Sequence, residues 1–207
     1  MIENKVSLYS YSITKNHVHI LAHVDSRESV ARMMNLASSV TARNYNRREE
    51  KTGAFWEHQY HCTIVETGQH LLNCINYIHL NMVRAGAVQE PAKWAWCSHD
   101  EIMEKRSRYK MLDLDRLHGL LGGISAKELH ESYCSSISAQ ISMGNLQRSQ
   151  QWTEALAVGS KSFIESVSTV YTDRMKLDKK LVSDQTTDQE WAIFEENTPY
   201  RARKGGL

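Results

Sequence analysis

The stretch Asn16-His17-Val18-His19-Ile20-Leu21 sets two imidazoles two residues apart. On an extended strand that spacing turns both rings to one face, with about 6.5–7 Å between their Cα atoms. Neutral imidazole is a common ligand of divalent ions, and a pair so placed can close on one ion. The competing reading is a partly exposed strand face whose histidines make ordinary hydrogen bonds. Further along, Asn73, Tyr77 and Asn81 stand at i, i+4 and i+8, with Arg84 beyond them. On a helix these positions share a stripe carrying a phenol, two amides and a guanidinium. A phenol with an ordinary pKa of about 10 is a nucleophile that needs help from a cation or base. Here too there is a plainer reading, a semi-buried packing tyrosine.

The elements that must position these groups follow from periodicity. Residues 5–13, KVSLYSYSI, alternate and are rich in β-formers, which predicts a strand. Residues 17–24, HVHILAHV, predict a second, joined to the first by a short turn. Its histidines and Leu21 share one face; Val18, Ile20, Ala22 and Val24 share the other, which is expected to rest on helices. Asp25 or Ser26 can cap the long helix that follows. Val30, Met33, Met34, Ala37 and Val40 mark its apolar stripe, and Gly53 stops it. Residues 60–66 predict a third strand, and 69–84 a second helix closed by Gly86. On that helix Leu71, Ile75, Ile78 and Met82 form the expected packing face, about 100–160° around from Tyr77. From about residue 111 the pattern predicts helices at 113–121, 125–143, 150–158 and 161–175, with a strand signal at 191–194. Residues 176–190 are polar and charged, and 199–207 read as a frayed basic tail.

Composition narrows the class. The chain has 207 residues, 41% hydrophobic and 24% charged, the mix of a globular protein. Lys plus Arg is 25 against 24 for Asp plus Glu, which excludes a strongly basic, histone-like binder. Residues 1–110 hold 14 basic and 11 acidic side chains, so nucleic-acid affinity would have to come from a local groove. No apolar run is long enough for a membrane span, and the N-terminus lacks a signal-peptide core. Cys62, Cys74, Cys97 and Cys134 form no C-x-x-C pair, so free thiols in a reducing cytoplasm are expected, not a zinc site.

Taken together, His17-Val18-His19, Gly53-x-x-Trp56, Tyr60-x-x-x-x-Val65-Glu66 and the run Tyr77-Ile78-x-x-Asn81-x-Val83-Arg84-Ala85-Gly86 resemble the REP-associated tyrosine transposases. These are domesticated cousins of the small insertion-sequence transposases that use a His-hydrophobic-His motif and one tyrosine. The stretch YIHLNMVRAG is the most specific piece, and Trp94-x-Trp96 is typical of the domain's end. The resemblance covers roughly residues 5–110, and more loosely 152–160.

It implies an α+β fold with a ferredoxin-like antiparallel sheet and helices packed on it. Residues 1–110 would form the catalytic domain and 111–207 a mostly helical region with a flexible basic tail. It implies a single-stranded DNA endonuclease and strand transferase acting on hairpin DNA through a 5′-phosphotyrosine intermediate. Tyr77 would be the nucleophile. His17, His19 and Asn81 would hold Mg²⁺ or Mn²⁺. The implied partners are single-stranded or hairpin DNA, with no membrane, and the protein would be a cytoplasmic monomer or homodimer. Relatives place a strand and a helix before the strand at 5–13. The chain begins almost at that strand, so the sheet is expected to lack both. The alternative is therefore a catalytically impaired DNA-hairpin-binding relative that keeps the fold. His79 is expected to play no direct role. Arg43, Tyr45, Arg47 and Arg48, with Lys51, form a basic cluster bearing one ring that can stack a base, or else a solvated helix end. Arg84 can hold a phosphate or pair with Glu66 or Glu90. Trp56 and Tyr60 are expected to be packing residues, and His58 and His61 surface residues.

Overall fold

The computed structural model describes residues 6–106, 108–144, 146–175, 181–187 and 189–195, with backbone alone for 171–175. The basic segment 199–207 lies outside the described residues, as do 176–180 and 188 of the polar stretch. In chain order the elements begin β1 (Val6–Ile13), β2 (Val18–Val24), α1 (Arg27–Arg48), β3 (Ile64–Val65), α2 (Gln69–His79) and α3 (Asn81–Arg84). They continue α4 (His99–Ile102), α5 (Leu114–Leu120), α6 (Ala126–Ser142), β4 (Ala157–Gly159), α7 (Lys161–Met175), β5 (Leu181–Gln185) and β6 (Trp191–Glu195). The architecture is α+β, with antiparallel strand pairs and helices packed on them. The chain divides into two compact units, one of residues 1–61 and 72–148, the other of 62–71 and 149–207. The sequence boundary at 110 falls inside the first of these.

In the first unit β1 and β2 form an antiparallel hairpin from Val6↔Val24 to Ile13↔Val18, with a register shift between Leu8 and Ser10. The turn is tied by Thr14, whose backbone N–H and hydroxyl both donate to the His17 carbonyl, at 2.9 and 2.8 Å. Four consecutive residues of β1, Tyr9 to Ser12, are buried, so both faces of this strand are covered. Its free edge is covered as well. Ile13 N–H donates to Trp96 O at 2.8 Å, Ser98 N–H to Tyr11 O at 3.0 Å, and Asp113 N–H to Leu8 O at 2.9 Å. The Trp94 indole N–H adds a bond to Ile13 O at 3.0 Å, which gives the Trp-x-Trp motif a structural task. Such an edge leaves few unpaired groups for stray strand pairing.

Buried Glu101 locks this arrangement. One carboxylate oxygen accepts from the Met111 and Leu112 N–H groups at 2.6 and 3.0 Å, the other from Tyr11 OH at 3.1 Å and Arg106 at 3.0 Å. A buried charge is tolerable when paired and fully hydrogen-bonded in this way. Ser26 is the cap of α1, accepting from Ser29 N–H at 3.2 Å. The apolar stripe of α1 is covered only in part: Val30, Met33 and Met34 are half-buried, while Ala37 and Val40 are exposed. A capping box formed by Ser125 and Glu128 starts α6, whose Leu129, Tyr133 and Ile137 are buried.

The second unit holds a four-stranded sheet of order β3-β4-β6-β5, in which β3 and β4 run parallel and the other pairs antiparallel. The expected helix at 150–158 is instead a 3₁₀ turn, Gln150–Trp152, followed by β4. A short apolar run ending at a glycine does not distinguish buried strand from helix by periodicity, and here strand pairing decides. The expected strand at 60–66 is two residues long, pairing Ile64 with Ala157 and Val65 with Val158. The strand signal at 191–194 corresponds to β6, whereas β5 arises in a stretch read as merely polar. Ala155, Val158 and Ala192 pack with Trp152 and Phe194 in one cluster. Ala157, Ile164 and Ile193 form the core of another.

None of the four cysteines forms a disulfide. Among the described residues no helix is long and apolar enough to cross a membrane.

Gly159 shows how tightly the second unit is closed. A Cβ there would stand 2.5 Å from Phe163 Cδ1 and 2.7 Å from Glu66 Oε2. That carboxylate already accepts from Ser160 N–H at 2.5 Å and Ser160 OH at 3.1 Å. Gly159→Ala should therefore destabilise the protein by about 1–3 kcal/mol. Hydrogen exchange should show lost protection in β4 and β6, and an unchanged unfolding midpoint would contradict the close approach.

Candidate active site

All the groups of the site belong to the first unit. The alternation of β2 separates its two faces as expected, but the covered face is the other one. Val18 and Ile20 are 40% and 38% exposed, whereas Leu21 is buried and His19 half-buried. The apolar face expected to rest on helices is thus open at Val18 and Ile20 and half-buried at Ala22 and Val24, while His19 and Leu21 turn inward toward α2 and α3.

His17 sits just before β2 and is exposed. Its Nδ1 lies 2.8 Å from Asn16 Oδ1 and 3.1 Å from Thr14 Oγ1. A tautomer donating from Nδ1 to the Asn16 oxygen leaves a lone pair on Nε2. The His17 and His19 rings are nearly perpendicular, with centroids 4.9 Å apart. Asn81 meets the second of them: its Nδ2 is 2.9 Å from His19 Nε2.

Tyr77 completes the cluster. Its ring stands edge-on to His19 with centroids 6.1 Å apart, and Arg84 Cζ lies 4.2 Å from its centroid on the ring face. This cation–π contact is partly desolvated. Tyr77 is only 7% exposed. The stripe read as the non-packing side of the helix is therefore covered at Tyr77 and half-buried at Asn73, Asn81 and Arg84, because α2 is buried nearly all round. Leu71, Leu72, Ile75, Ile78 and Leu80 are each below 9% exposed, as are Asn76 and His79.

A second departure is the break in the expected helix 69–84. Helical structure stops at His79 and resumes at Asn81, with buried Leu80 between. Tyr77 and Asn81 are thus on two helical pieces instead of one rod. At the break the Tyr77 carbonyl accepts from Arg84 Nη2 at 3.4 Å. The other Arg84 nitrogens, Nε and Nη1, are buried with no hydrogen-bond partner. The acidic partners considered for Arg84 are engaged elsewhere: Glu66 with Ser160, Glu90 with Lys93.

Electrostatics keep the imidazoles neutral. Burial first, then the positive charges of His17, Arg84 and Arg148, push His19 down to about 4. His17 is also lowered, by burial and then the charge of Arg148, with Asn81 acting in the opposite direction. Burial lowers Arg84, with the Tyr77 charge acting in the opposite direction. Arg148 was not legible in the sequence. It lies in the polar segment after α6, far along the chain from either motif, and no spacing marks it.

His79 does have a place, on the side of α2 away from the cluster. It is 1% exposed, with Nδ1 2.8 Å from Tyr133 OH and Nε2 2.7 Å from Ser98 Oγ and 3.1 Å from Ser10 Oγ. His99 Nδ1 meets the same Tyr133 hydroxyl at 2.8 Å. Burial pushes His79 down to about 3.

Arg43, Tyr45, Arg47 and Arg48 form their own patch at the end of α1. Thr41, Asn44, Tyr45, Arg47 and Arg48 line an open concavity there. Trp56 and Tyr60, expected to pack, are 36% and 46% exposed, and His58 and His61 are exposed. Among the described residues no group of three or more His, Cys, Asp or Glu side chains is placed to hold a metal ion. Any ion at this cluster would need the Asn81 amide beside the two imidazoles.

Residues 2–81, which carry the imidazole pair, Tyr77 and Asn81, match the family model described as IS200-like transposase. That stretch is similar to transposases of the insertion-sequence type. The match is to this broader family and not specifically to its REP-associated cousins. No curated protein and no solved structure matches the chain.

The covered imidazoles set a pH dependence. Unfolded, a histidine titrates near 6.5, whereas folded His19 does so at about 4 and His79 at about 3. Between about 4 and 6.5 the unfolded chain binds protons that the folded protein refuses, so stability rises with pH across that window. It is fully present above the window and lost as pH falls through it. Urea midpoints should therefore decline from neutral pH downward, and the His19 ring resonances should titrate near 4. A His19 midpoint at or above 6.5 would contradict a covered ring flanked by cations.

Proposed function

We propose that the protein cuts and rejoins single-stranded DNA, with Tyr77 as nucleophile. The observation that carries this reading is the packing of the Tyr77 phenol against His19, whose Nε2 is held by Asn81. This cluster lies in the stretch that matches IS200-like transposases. The hairpin, REP-type substrate rests on the resemblance of YIHLNMVRAG to the REP-associated enzymes.

In the reaction the Tyr77 oxygen attacks a backbone phosphorus and the bond from phosphorus to the 3′ oxygen breaks. The products are a 5′-phosphotyrosine and a free 3′-OH. The phenol gives up a proton to water and the leaving oxygen gains one. Phosphodiester bond energy is conserved, so an incoming 3′-OH can reverse the step and join strands. Arg84 suits the negative charge of the phosphate: it lies on the ring face, with two buried nitrogens lacking partners. Fixed donors aimed at developing charge lower the barrier without reorganising. Arg148 adds positive potential beside both imidazoles.

The residues fit a divalent ion. His17 and His19 are shifted toward the neutral form with their rings 4.9 Å apart, and the Asn81 amide, whose nitrogen faces His19, would turn over to present its oxygen. Two nitrogens and an amide oxygen suit Mn²⁺ better than Mg²⁺, which favours all-oxygen sets. When bound, such an ion supplies Lewis-acid polarisation of the phosphate.

One observation favours the second reading, a DNA-binding relative impaired in cutting: at 7% exposure the phenol must be uncovered before it can reach a phosphate.

The two readings separate in one assay. Labelled single-stranded hairpin DNA incubated with Mn²⁺ should yield a covalent adduct stable to denaturation. Tyr77→Phe should remove it entirely, and EDTA should suppress it. Arg84→Gln should slow adduct formation by roughly 10²–10³-fold. DNA binding without any adduct would establish the impaired relative, and an adduct surviving Tyr77→Phe would sink the assignment of the nucleophile.

A further inference from the structure

The end of α1 is built in a way that helix stability does not explain. Ser29, in the first turn, is its one buried residue, and Leu36 is 58% exposed. Cations in the last turn suit the helix macrodipole, which accounts for Arg47 and Arg48 alone. It does not account for the chain that follows. After a reversal at Gly53, whose φ of 98° few other residues adopt, residues 53–56 fold back along the helix. They are pinned at both ends: Asn46 Nδ2 donates to Gly53 O at 3.0 Å, and Trp56 Nε1 donates to Ser38 O at 3.0 Å.

The pinned segment assembles three rings. Phe55 lies 4.7 Å from Tyr45 and 4.8 Å from Trp56, centroid to centroid. Cations stand over the Tyr45 ring, with Arg48 Cζ at 5.8 Å and Lys51 Nζ at 5.5 Å. Lys51 Nζ also donates to Tyr45 OH at 3.4 Å, and Arg48 is tied to Glu49 at 2.8 Å. A cluster built only for packing would cover its rings, yet Trp56 is 36% exposed and Tyr45 and Phe55 are half-buried. Rings left partly open beside exposed cations match a ligand that is flat at one end and anionic at the other. An unpaired nucleotide has that chemistry, and stacking on aromatic rings is tolerant of base identity.

We propose that Tyr45, Phe55 and Trp56, with Arg47, Arg48 and Lys51, form a stacking platform for an unpaired nucleotide of single-stranded DNA, apart from the residues that cut the strand. The choice of DNA rests on the function proposed above; the platform itself rests on the rings and cations. Because the rings are pinned in advance, little ordering cost opposes binding.

The test uses the full-length Tyr77→Phe protein, so that binding is read without covalent chemistry. Anisotropy titrations compare a short oligothymidylate with an abasic oligonucleotide of the same length. The base-bearing strand should bind about tenfold or more tightly, and Tyr45→Ala should abolish that preference. Arg47→Gln with Arg48→Gln should weaken both strands and lower the salt slope by about 0.7 per lost phosphate contact. A photoreactive 5-iodouracil strand should crosslink to Tyr45, Phe55 or Trp56 in the protein with these residues intact. Equal affinity for the two strands, a preference that survives in Tyr45→Ala, or crosslinks confined to other residues would each overturn the platform. None of these readouts depends on adduct formation, so the platform and the cutting reaction stand or fall separately.

Discussion

A fully buried imidazole with three hydroxyls around it cannot rotate without leaving polar atoms stranded in an apolar interior. His79 is held in this way by Ser10, Ser98 and Tyr133. An unmet hydrogen bond in such a setting costs on the order of 1–3 kcal/mol, so the network fixes the rotation of α2 about its axis. Tyr77 lies two residues earlier, about 200° around the helix. Holding His79 against β1 and α6 therefore turns Tyr77 toward β2 and His19. Asn76, donating to Ser136 at 2.8 Å, adds a second polar tie between α2 and α6. The arrangement around the imidazole pair is thus set from behind, by residues with no chemistry of their own.

This explains which parts of the protein the sequence makes legible. Short-range spacing survives folding: the two strands, the capped long helix and the pairing of His17 with His19 follow from local pattern, whereas Asn81 is singled out as a ligand only through the family resemblance. What periodicity cannot supply is the side from which cover arrives. It divides β2 into two faces correctly but does not say that Val18 and Ile20 are the open ones. For the same reason it reads Tyr77 as lying off the packing face, when α2 is covered on that side as well. The region after residue 111 was opaque for a related reason. Tyr133 and Arg148 matter through partners more than fifty residues away, and no local spacing encodes such partners. The segment at 150–158 is ambiguous between two periodicities over so few residues, and its pairing with β3 and β6 settles it.

The second unit follows a different logic. Its small sheet is closed by side chains of little bulk, Ala155, Ala157, Gly159 and Ala192, which let strands and α7 approach closely. Polar order is supplied by a chain of contacts. His70 lies 3.0 Å from Glu190 and 3.5 Å from Glu66, Gln151 donates to Glu190 at 3.1 Å, and Glu66 accepts from Ser160. A buried carboxylate such as Glu190 is stable only with such partners.

The interruption at Leu80 has a bearing on where this chain can change length. Each inserted or deleted residue between Tyr77 and Asn81 would swing the amide by about 100° around the helix axis, away from both imidazoles. The break, being buried and bridged by Arg84 to the Tyr77 carbonyl, has no slack to absorb the change. By contrast, residues 57–62 are exposed and irregular, and could gain or lose residues at small cost. Length variation among homologous chains should accordingly gather in that loop and spare the four-residue interval.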